Sequence, residues 1–201
     1  MTRRPLQAAA TLSALLMLAA CTGSPKAGQP NTTPPPTTPT ITPSPTPSTP
    51  TWTPEQQAAI TAAKSRYTTA RAAVDKAFED PAHLNRTALE KVGNGGEWII
   101  TVIDDARFQT QNGWYQTGQV KISGTQVVSV KLGIEQPEVQ LTNCIDSSAV
   151  VTRFTKTKKP VPMGPGNGDR HKFSSRLVYA QPNSGGPKMW FLVAEKGGGP
   201  C

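Results

Sequence analysis

The chain has 201 residues with 21 Lys+Arg against 13 Asp+Glu, and its 20 prolines and 17 glycines are many for one compact domain. No apolar run reaches the roughly 18–20 residues of a membrane-spanning helix, which excludes a polytopic membrane protein. Three cysteines and two histidines are too few for a zinc cluster of the usual spacing, so we expect no metal site and no cofactor.

Residues 1–20 have the parts of a secretion signal. Arg3 and Arg4 supply positive charge, and an uncharged apolar stretch follows. Its end resembles the lipobox of bacterial lipoproteins, which here consists of Leu18, Ala19, Ala20 and Cys21. In that family the cysteine thiol is acylated and the signal is cut before it. The resemblance therefore implies that Cys21 is the lipidated first residue of the mature chain. The alternative is an ordinary cleaved signal in which Cys21 is incidental.

The next segment, residues 22–53, holds ten prolines, eleven threonines and a single charge, Lys26. Such a sequence has almost nothing to bury, so residues 21–53 are predicted to form a disordered Pro/Thr-rich linker. At about 3.1 Å per residue in an extended polyproline conformation, it spans roughly 100 Å. We expect the protein on the outer face of the cytoplasmic membrane, lipid-anchored and extending into the cell wall. A proline-rich ligand for a partner domain is the competing interpretation.

Residues 54–201 are predicted to be one globular domain that starts with a helix. Thr53 can cap this helix, Pro54 suits its first position, and Gln56 completes a capping-box spacing. Apolar residues then recur three and four positions apart on one stripe, namely Ile60, Ala63, Tyr67, Ala70, Val74 and Ala77. Asp80-Pro81 ends the helix and can start another.

Two further helices are predicted before the sequence changes character. The first runs from His83 to Val92 and ends at the glycines of positions 93–96. The second runs from Glu97 to Gln111, where the spacing of the apolar residues is helical although β-branched residues are frequent.

From Trp114 onward the patterns indicate strands. They include the β-rich run 127–132, the alternation of Val139, Leu141 and Ile145, the shared parity of Phe173, Leu177 and Tyr179, and the apolar run 189–194. Helices first and antiparallel strands afterwards predict an α+β fold.

Several strings in this region carry a family resemblance: Phe78–Pro81, Gly113–Trp114, Gly118–Lys121, Val139–Ser147 and the terminal Cys201. They are similar to a family of actinobacterial secreted lipoproteins, encoded by such bacteria and by some of their phages. The resemblance implies an NTF2-like domain, in which a curved antiparallel sheet wraps the helices as a cone with an internal pocket. Asn143 departs from the family pattern, which often has an acidic residue before the cysteine. The family's activity is generally unassigned.

With Cys21 lipidated, Cys144 and Cys201 remain as an even pair. In an oxidising compartment such a pair is expected to form a disulfide, which would fix the glycine-rich tail to the sheet. Two free thiols are the alternative.

Positive charge is concentrated between positions 153 and 176. The residues are Arg153, Lys156, Lys158, Lys159, Arg170, Lys172 and Arg176, opposed only by Asp169. Between them lies a predicted mobile loop, residues 160–168. One interpretation is an anion-binding patch for lipid head groups or acidic envelope polymers, with an envelope protein as a further possible partner. The other is a solvated surface that aids solubility. Nucleic acid is not expected as a partner of an exported protein.

Catalytic motifs are absent from the sequence: it has no nucleophile elbow, phosphate loop or paired-histidine zinc motif. Asp104 and Asp105 point apart on a helix, and His83 and His171 are isolated. Tyr67, Tyr115 and Tyr179 are the candidates to line a cone pocket. We therefore expect no catalytic residues and a non-catalytic binding module. The alternatives are an NTF2-like pocket enzyme of hydrolase or isomerase type, and an envelope interaction protein of the phage superinfection-exclusion type.

Overall fold

The computed structural model describes residues 51–163, 169–183 and 185–201, all of which belong to one compact unit, Ser48–Cys201. The predicted signal, the lipobox with Cys21 and the linker up to residue 50 lie outside the described residues, as do positions 164–168 of the predicted loop. Within the described ranges, no helix is both long and apolar enough to span a membrane.

The first helix, α1, covers Pro54–Phe78 and begins as the sequence predicts. The backbone N–H of Gln56 donates to Thr53 Oγ1 (3.2 Å), and the N–H of Thr53 donates to Gln56 Oε1 (3.0 Å). This reciprocal pair satisfies two backbone donors that a helix start leaves free. Of the predicted stripe of α1, Ile60, Ala63, Tyr67, Ala70 and Val74 are buried and Ala77 is partly buried.

The prediction of a second helix beginning at His83 was wrong about its start. A 3₁₀ turn covers Pro81–His83, Leu84 leaves the helical conformation, and α2 covers only Arg86–Lys91. Asn85 determines the new start, because its side chain accepts a hydrogen bond from the Ala88 N–H (3.0 Å). The third helix, α3, is confirmed and covers Gly96–Gln111.

The strands within the described residues form two antiparallel sheets, which confirms the α+β class. A two-stranded sheet pairs β1 (Trp114–Thr117) with β4 (Val151–Phe154). A four-stranded sheet has the order β2-β3-β5-β6, and its strands are β2 (Lys121–Lys131), β3 (Glu138–Asp146), β5 (Arg170–Ala180) and β6 (Met189–Pro200).

Tyr179 has the predicted parity with Leu177 and faces the side of the sheet that α1 covers, but it lies at the edge of that side, next to the cavity beside α1. Leu177 and Val178 are both buried, whereas Tyr179 is exposed. The register between β5 and β6 shifts here, because Arg176 lies opposite Ala194 and Leu177 opposite Leu192. The extra residue on β6 is a bulge, which breaks the alternation of inward and outward side chains on β6, whereas the register of β5 with β3 is uninterrupted.

One face of the four-stranded sheet packs against α1. Val139 and Leu141 of β3, Leu177 of β5 and Leu192 of β6 are fully buried there. Burying one such side chain stabilises the fold by about 1.5–3 kcal/mol. A second apolar cluster joins the three helices through Val74, Leu89, Ile99 and Val102. On the opposite face of the sheet, Gln140 and Thr142 are partly buried and Arg176 is exposed, whereas Val178 and Phe191 near the helices are buried.

Candidate functional site

A group of polar side chains lies buried on the sheet face that α1 covers. The Tyr67 hydroxyl on α1 donates to Glu195 Oε1 on β6 (2.7 Å) and lies 3.2 Å from Asn143 Oδ1 on β3. The Ser175 hydroxyl on β5 donates to the same Glu195 oxygen (3.1 Å), and Asn143 Nδ2 donates to Ser175 Oγ (3.4 Å). We call these four residues the buried polar cluster. It links the helix to three strands of the sheet.

Arg71 balances the charge of Glu195. Its Nη1 lies 2.9 Å from Glu195 Oε2, and only 11% of the Arg71 side chain and 1% of the Glu195 side chain are exposed. The guanidinium also stacks on Trp98 at 5.1 Å from the ring centroid. The Trp98 indole N–H in turn donates to Asn94 Oδ1 (2.8 Å). The ion pair is therefore almost entirely removed from water.

Burial raises the pKa of two groups in this region. Burial, and then the negative charge of Glu195, raises the pKa of Tyr67 far above its usual range. Burial likewise raises the pKa of Asp75, although the Val120 N–H that donates to its Oδ2 (3.1 Å) acts in the opposite direction. Tyr67 is consequently a neutral hydrogen-bond donor at ordinary pH and is not a base.

Most of the buried polar cluster is separated from three surface cavities of the domain. These measure about 270 Å³ between α2, α3 and the β5–β6 pair, about 560 Å³ beside the start of α1, and about 600 Å³ on the outer sheet face. As far as the described residues go, Tyr67, Arg71 and Asn143 line none of the three. Ser175 and Glu195 border the third, but the Glu195 side chain is too buried to present its carboxylate there. The arrangement acts as an internal crosslink between helix and sheet.

The three candidate tyrosines do not converge on one pocket. Tyr115 lies on β1 under Lys158, whose Nζ is 4.9 Å from the ring centroid. Tyr179 packs on Trp190, with 5.4 Å between the ring centroids, at the edge of the cavity beside α1. His83 pairs with Asp80 at the exposed surface (3.0 Å). Among the described residues, no group of three or more His, Cys, Asp or Glu side chains could hold a metal ion.

The predicted disulfide between Cys144 and Cys201 is present. Its two Cα atoms are 5.9 Å apart, and the bond joins β3 to the last residue of the chain. The backbone N–H of Cys201 also donates to the carbonyl of Arg170 (3.3 Å). The glycine-rich end of β6 is therefore held against β5, as the sequence predicts.

The seven residues of the predicted basic patch form two groups, one at β4 and the turn that follows it and the other on β5. Arg153 lies on β4, where its Nη1 donates to the Lys158 carbonyl (3.1 Å), and Lys156, Lys158 and Lys159 are exposed in the turn that follows. Arg170, Lys172 and Arg176 alternate along β5 on the outer face of the four-stranded sheet. Two of this second group face carboxylates, Arg170 facing Asp146 (3.8 Å) and Arg176 facing Glu138 (3.3 Å).

The sequence interpretation missed Arg71, Ser175 and Glu195. Glu195 directly follows the apolar run of β6, and Ser175 occupies an inward position between Phe173 and Leu177. Polar residues at inward positions of a strand were the available signal, but their partners are distant in sequence.

No protein-family model and no curated protein matches the sequence. Among solved structures, the intermembrane space region of chloroplast protein ARC6 is similar, at 12% identity and a TM-score of 0.44. The match covers 71% of this chain and 95% of that chain. A likeness of this degree supports no argument about the function of the protein.

Proposed function

We propose that this chain is an extracytoplasmic lipoprotein, held by acylated Cys21 on the outer face of the cytoplasmic membrane, whose 54–201 domain binds a partner at the cell envelope without catalysing a reaction. The observation that carries the proposal is the Cys144–Cys201 disulfide. Disulfides persist in oxidising compartments outside the cytosol. The chain has three cysteines, so this pairing leaves Cys21, the cysteine that follows the apolar signal, outside the disulfide.

The packing of α1 against the four-stranded antiparallel sheet supports an NTF2-like domain. In such a cone, a catalytic residue would have to face an interior space open to a substrate. Here the space between α1 and the sheet holds Leu141, Leu177 and the buried polar cluster. This filling favours a binding module over the hydrolase or isomerase alternative. A module that blocks an envelope receptor, as in superinfection exclusion, is one form of the same function.

The anchor has a clear energetic basis. Each buried methylene of an acyl chain contributes about 0.8 kcal/mol, and stable attachment to a bilayer requires two chains or one chain with a second signal. A diacylglyceryl group on the Cys21 thiol supplies two chains. Removal of that thiol should therefore release the protein from the membrane.

Fractionation of producing actinobacterial cells tests the proposal. The wild-type chain should remain with the membranes until detergent is added, whereas Cys21→Ser should appear in the soluble or secreted fraction. Thr22→Ala is the matched control, since it alters the neighbouring position and leaves the thiol. Quantitative membrane retention of Cys21→Ser would contradict the anchor.

A further inference from the structure

The β1–β4 sheet and its surroundings combine exposed apolar side chains with a cluster of cations. We propose that this end of the domain is a binding surface for an anionic lipid bilayer. The proposal deepens the proposed function and rests on it in one respect, since the Cys21 anchor is what keeps a bilayer within reach of the domain.

The apolar part of the surface consists of Phe108, Trp114 and Met163. Phe108 near the end of α3 is 56% exposed, and Met163 beyond β4 is 70% exposed. Both line a cleft of about 240 Å³ together with Trp114. The rings of Phe108 and Trp114 meet edge to face with 5.8 Å between centroids. Large apolar side chains grouped in this way at a surface mark an interaction site.

The cationic part is the end of β4 and the turn that follows it. Arg153, Lys156, Lys158 and Lys159 lie within seven positions, and the sequence has no acidic residue from 147 to 163. The turn is fixed by two backbone hydrogen bonds, from Lys158 N–H to the Phe154 carbonyl (2.8 Å) and from Phe154 N–H to the Lys159 carbonyl (3.0 Å). Phe154 pairs with Trp114 across the sheet. Arg153 pairs instead with Tyr115, whose ring lies under Lys158, so these two cations lie on the opposite face of the sheet from the cleft. The two faces meet at the end of the sheet that Trp114, Phe154 and the turn form.

Two carboxylates on α3 lie near this surface but do not cancel its charge. Asp104 is paired with Arg107 (2.7 Å). Asp105 borders the cleft, and partial burial, followed by the charge of Asp104, raises the pKa of Asp105. With Arg153 on β4 and three lysines in the turn, the surface keeps a net positive charge.

The combination of chemistries favours a bilayer over an acidic polymer. A polyanion in water engages cations and gains nothing from Phe108 or Met163. A bilayer provides both phosphate groups for the lysines and hydrocarbon for the apolar side chains, and aromatic side chains with adjacent basic residues are typical of membrane interfaces. The sheet would enter the head-group region end on, with the apolar cleft on one face and Arg153 and Lys158 on the other.

Vesicle binding tests the proposal without the anchor. The probe is the 21–201 chain carrying Cys21→Ser, so that no acyl group is attached, mixed with phosphatidylglycerol vesicles or with phosphatidylcholine vesicles. We expect it to cosediment with the anionic vesicles only, with a blue shift of tryptophan emission that is lost in Trp114→Phe.

Two sets of variants separate the contributions. Replacing Lys156, Lys158 and Lys159 by Gln should weaken binding roughly 100-fold, at about 1 kcal/mol per cation near an anionic surface. The matched control replaces three exposed lysines elsewhere, Lys172, Lys188 and Lys196, and should change binding less than about threefold. Phe108→Ser combined with Met163→Ser should weaken binding at least tenfold and reduce the emission shift, and circular dichroism should verify its fold.

Three results would overturn the proposal. They are absence of binding to anionic vesicles, equal loss in the two triple-lysine variants, and binding that is insensitive to Phe108→Ser with Met163→Ser. The last result, together with equal binding to an acidic polysaccharide, would assign the cations to a polyanion. None of these results affects the fractionation test of Cys21, so a failure of this inference and a failure of the anchor are distinguishable.

Discussion

Replacing Glu195 by Gln isolates the charge of the buried ion pair while it keeps the shape of the side chain. The carbonyl oxygen of the introduced amide can still accept from the Tyr67 and Ser175 hydroxyls, which in the wild type donate to Glu195 Oε1 (2.7 and 3.1 Å). What disappears is the negative charge 2.9 Å from Arg71. The guanidinium, with 11% of its side chain exposed, then has no compensating charge.

Removing one partner of a buried ion pair costs about 3–5 kcal/mol, because the other charge stays buried and unpaired. Since the substitution preserves the hydroxyl contacts, we expect a loss near the lower end, about 3 kcal/mol. For a domain of this size that corresponds to a fall in melting temperature of about 6–12 °C. The free energy of unfolding should drop without a change in the denaturant slope.

Urea denaturation of the 21–201 chain measures this loss, with Glu90→Gln as the control. Glu90 pairs with Arg86 along a helix surface (2.8 Å), where such a pair contributes only about 0.3–0.5 kcal/mol. Arg71→Met in the Glu195→Gln background should recover part of the stability, since no unpaired charge is then buried. If Glu195→Gln costs no more than Glu90→Gln, the reasoning about a desolvated ion pair is refuted.

Two further predictions concern stability. Cys201→Ser removes a crosslink between positions 57 residues apart, and under non-reducing conditions it should lower the free energy of unfolding by about 4 kcal/mol in the loop-closure model. Cys21→Ser is the control and should leave the free energy of unfolding unchanged. Equal unfolding midpoints for the oxidised and the reduced wild-type chain would argue against this prediction. Asp75→Asn should gain stability relative to the wild type as pH rises from about 4 to 7. The folded-state pKa of Asp75 is raised, so its contribution is fully present below the unfolded pKa and is lost as pH rises through the folded one. Denaturation at several pH values would contradict this if the difference between the two proteins stayed constant.

Local signals in the sequence were sufficient for the first and third helices. The capping box at Thr53 and the stripe from Ile60 to Val74 depend on neighbours within one or two helical turns, so they can be read without tertiary context. The second helix was misplaced because Asn85 competes with Asp80 as a cap, and propensity alone does not rank the two. The parity of Tyr179 with Leu177 was predictable from alternation along one strand, whereas its exposure depends on tertiary packing, because Tyr179 borders the cavity beside the start of α1.

The buried polar cluster illustrates what the sequence does not reveal. Tyr67 and Glu195 are 128 residues apart, and their hydrogen bond exists only once β6 lies beside β5 and α1 packs across the sheet. Glu195 in isolation resembles an ordinary charged residue at the end of an apolar strand. The disulfide was predictable for the opposite reason, because three cysteines leave few pairings once the lipobox resemblance assigns one of them.

The intact mass of the protein recovered from the membrane and cytosolic fractions of producing cells tests the central claim most directly. We predict a chain that begins at residue 21, is heavier by a diacylglyceryl group on that cysteine, and is lighter by two hydrogens for the crosslink between positions 144 and 201. A polypeptide that still begins at Met1, carries no acyl group and is recovered from the cytosol would contradict the account.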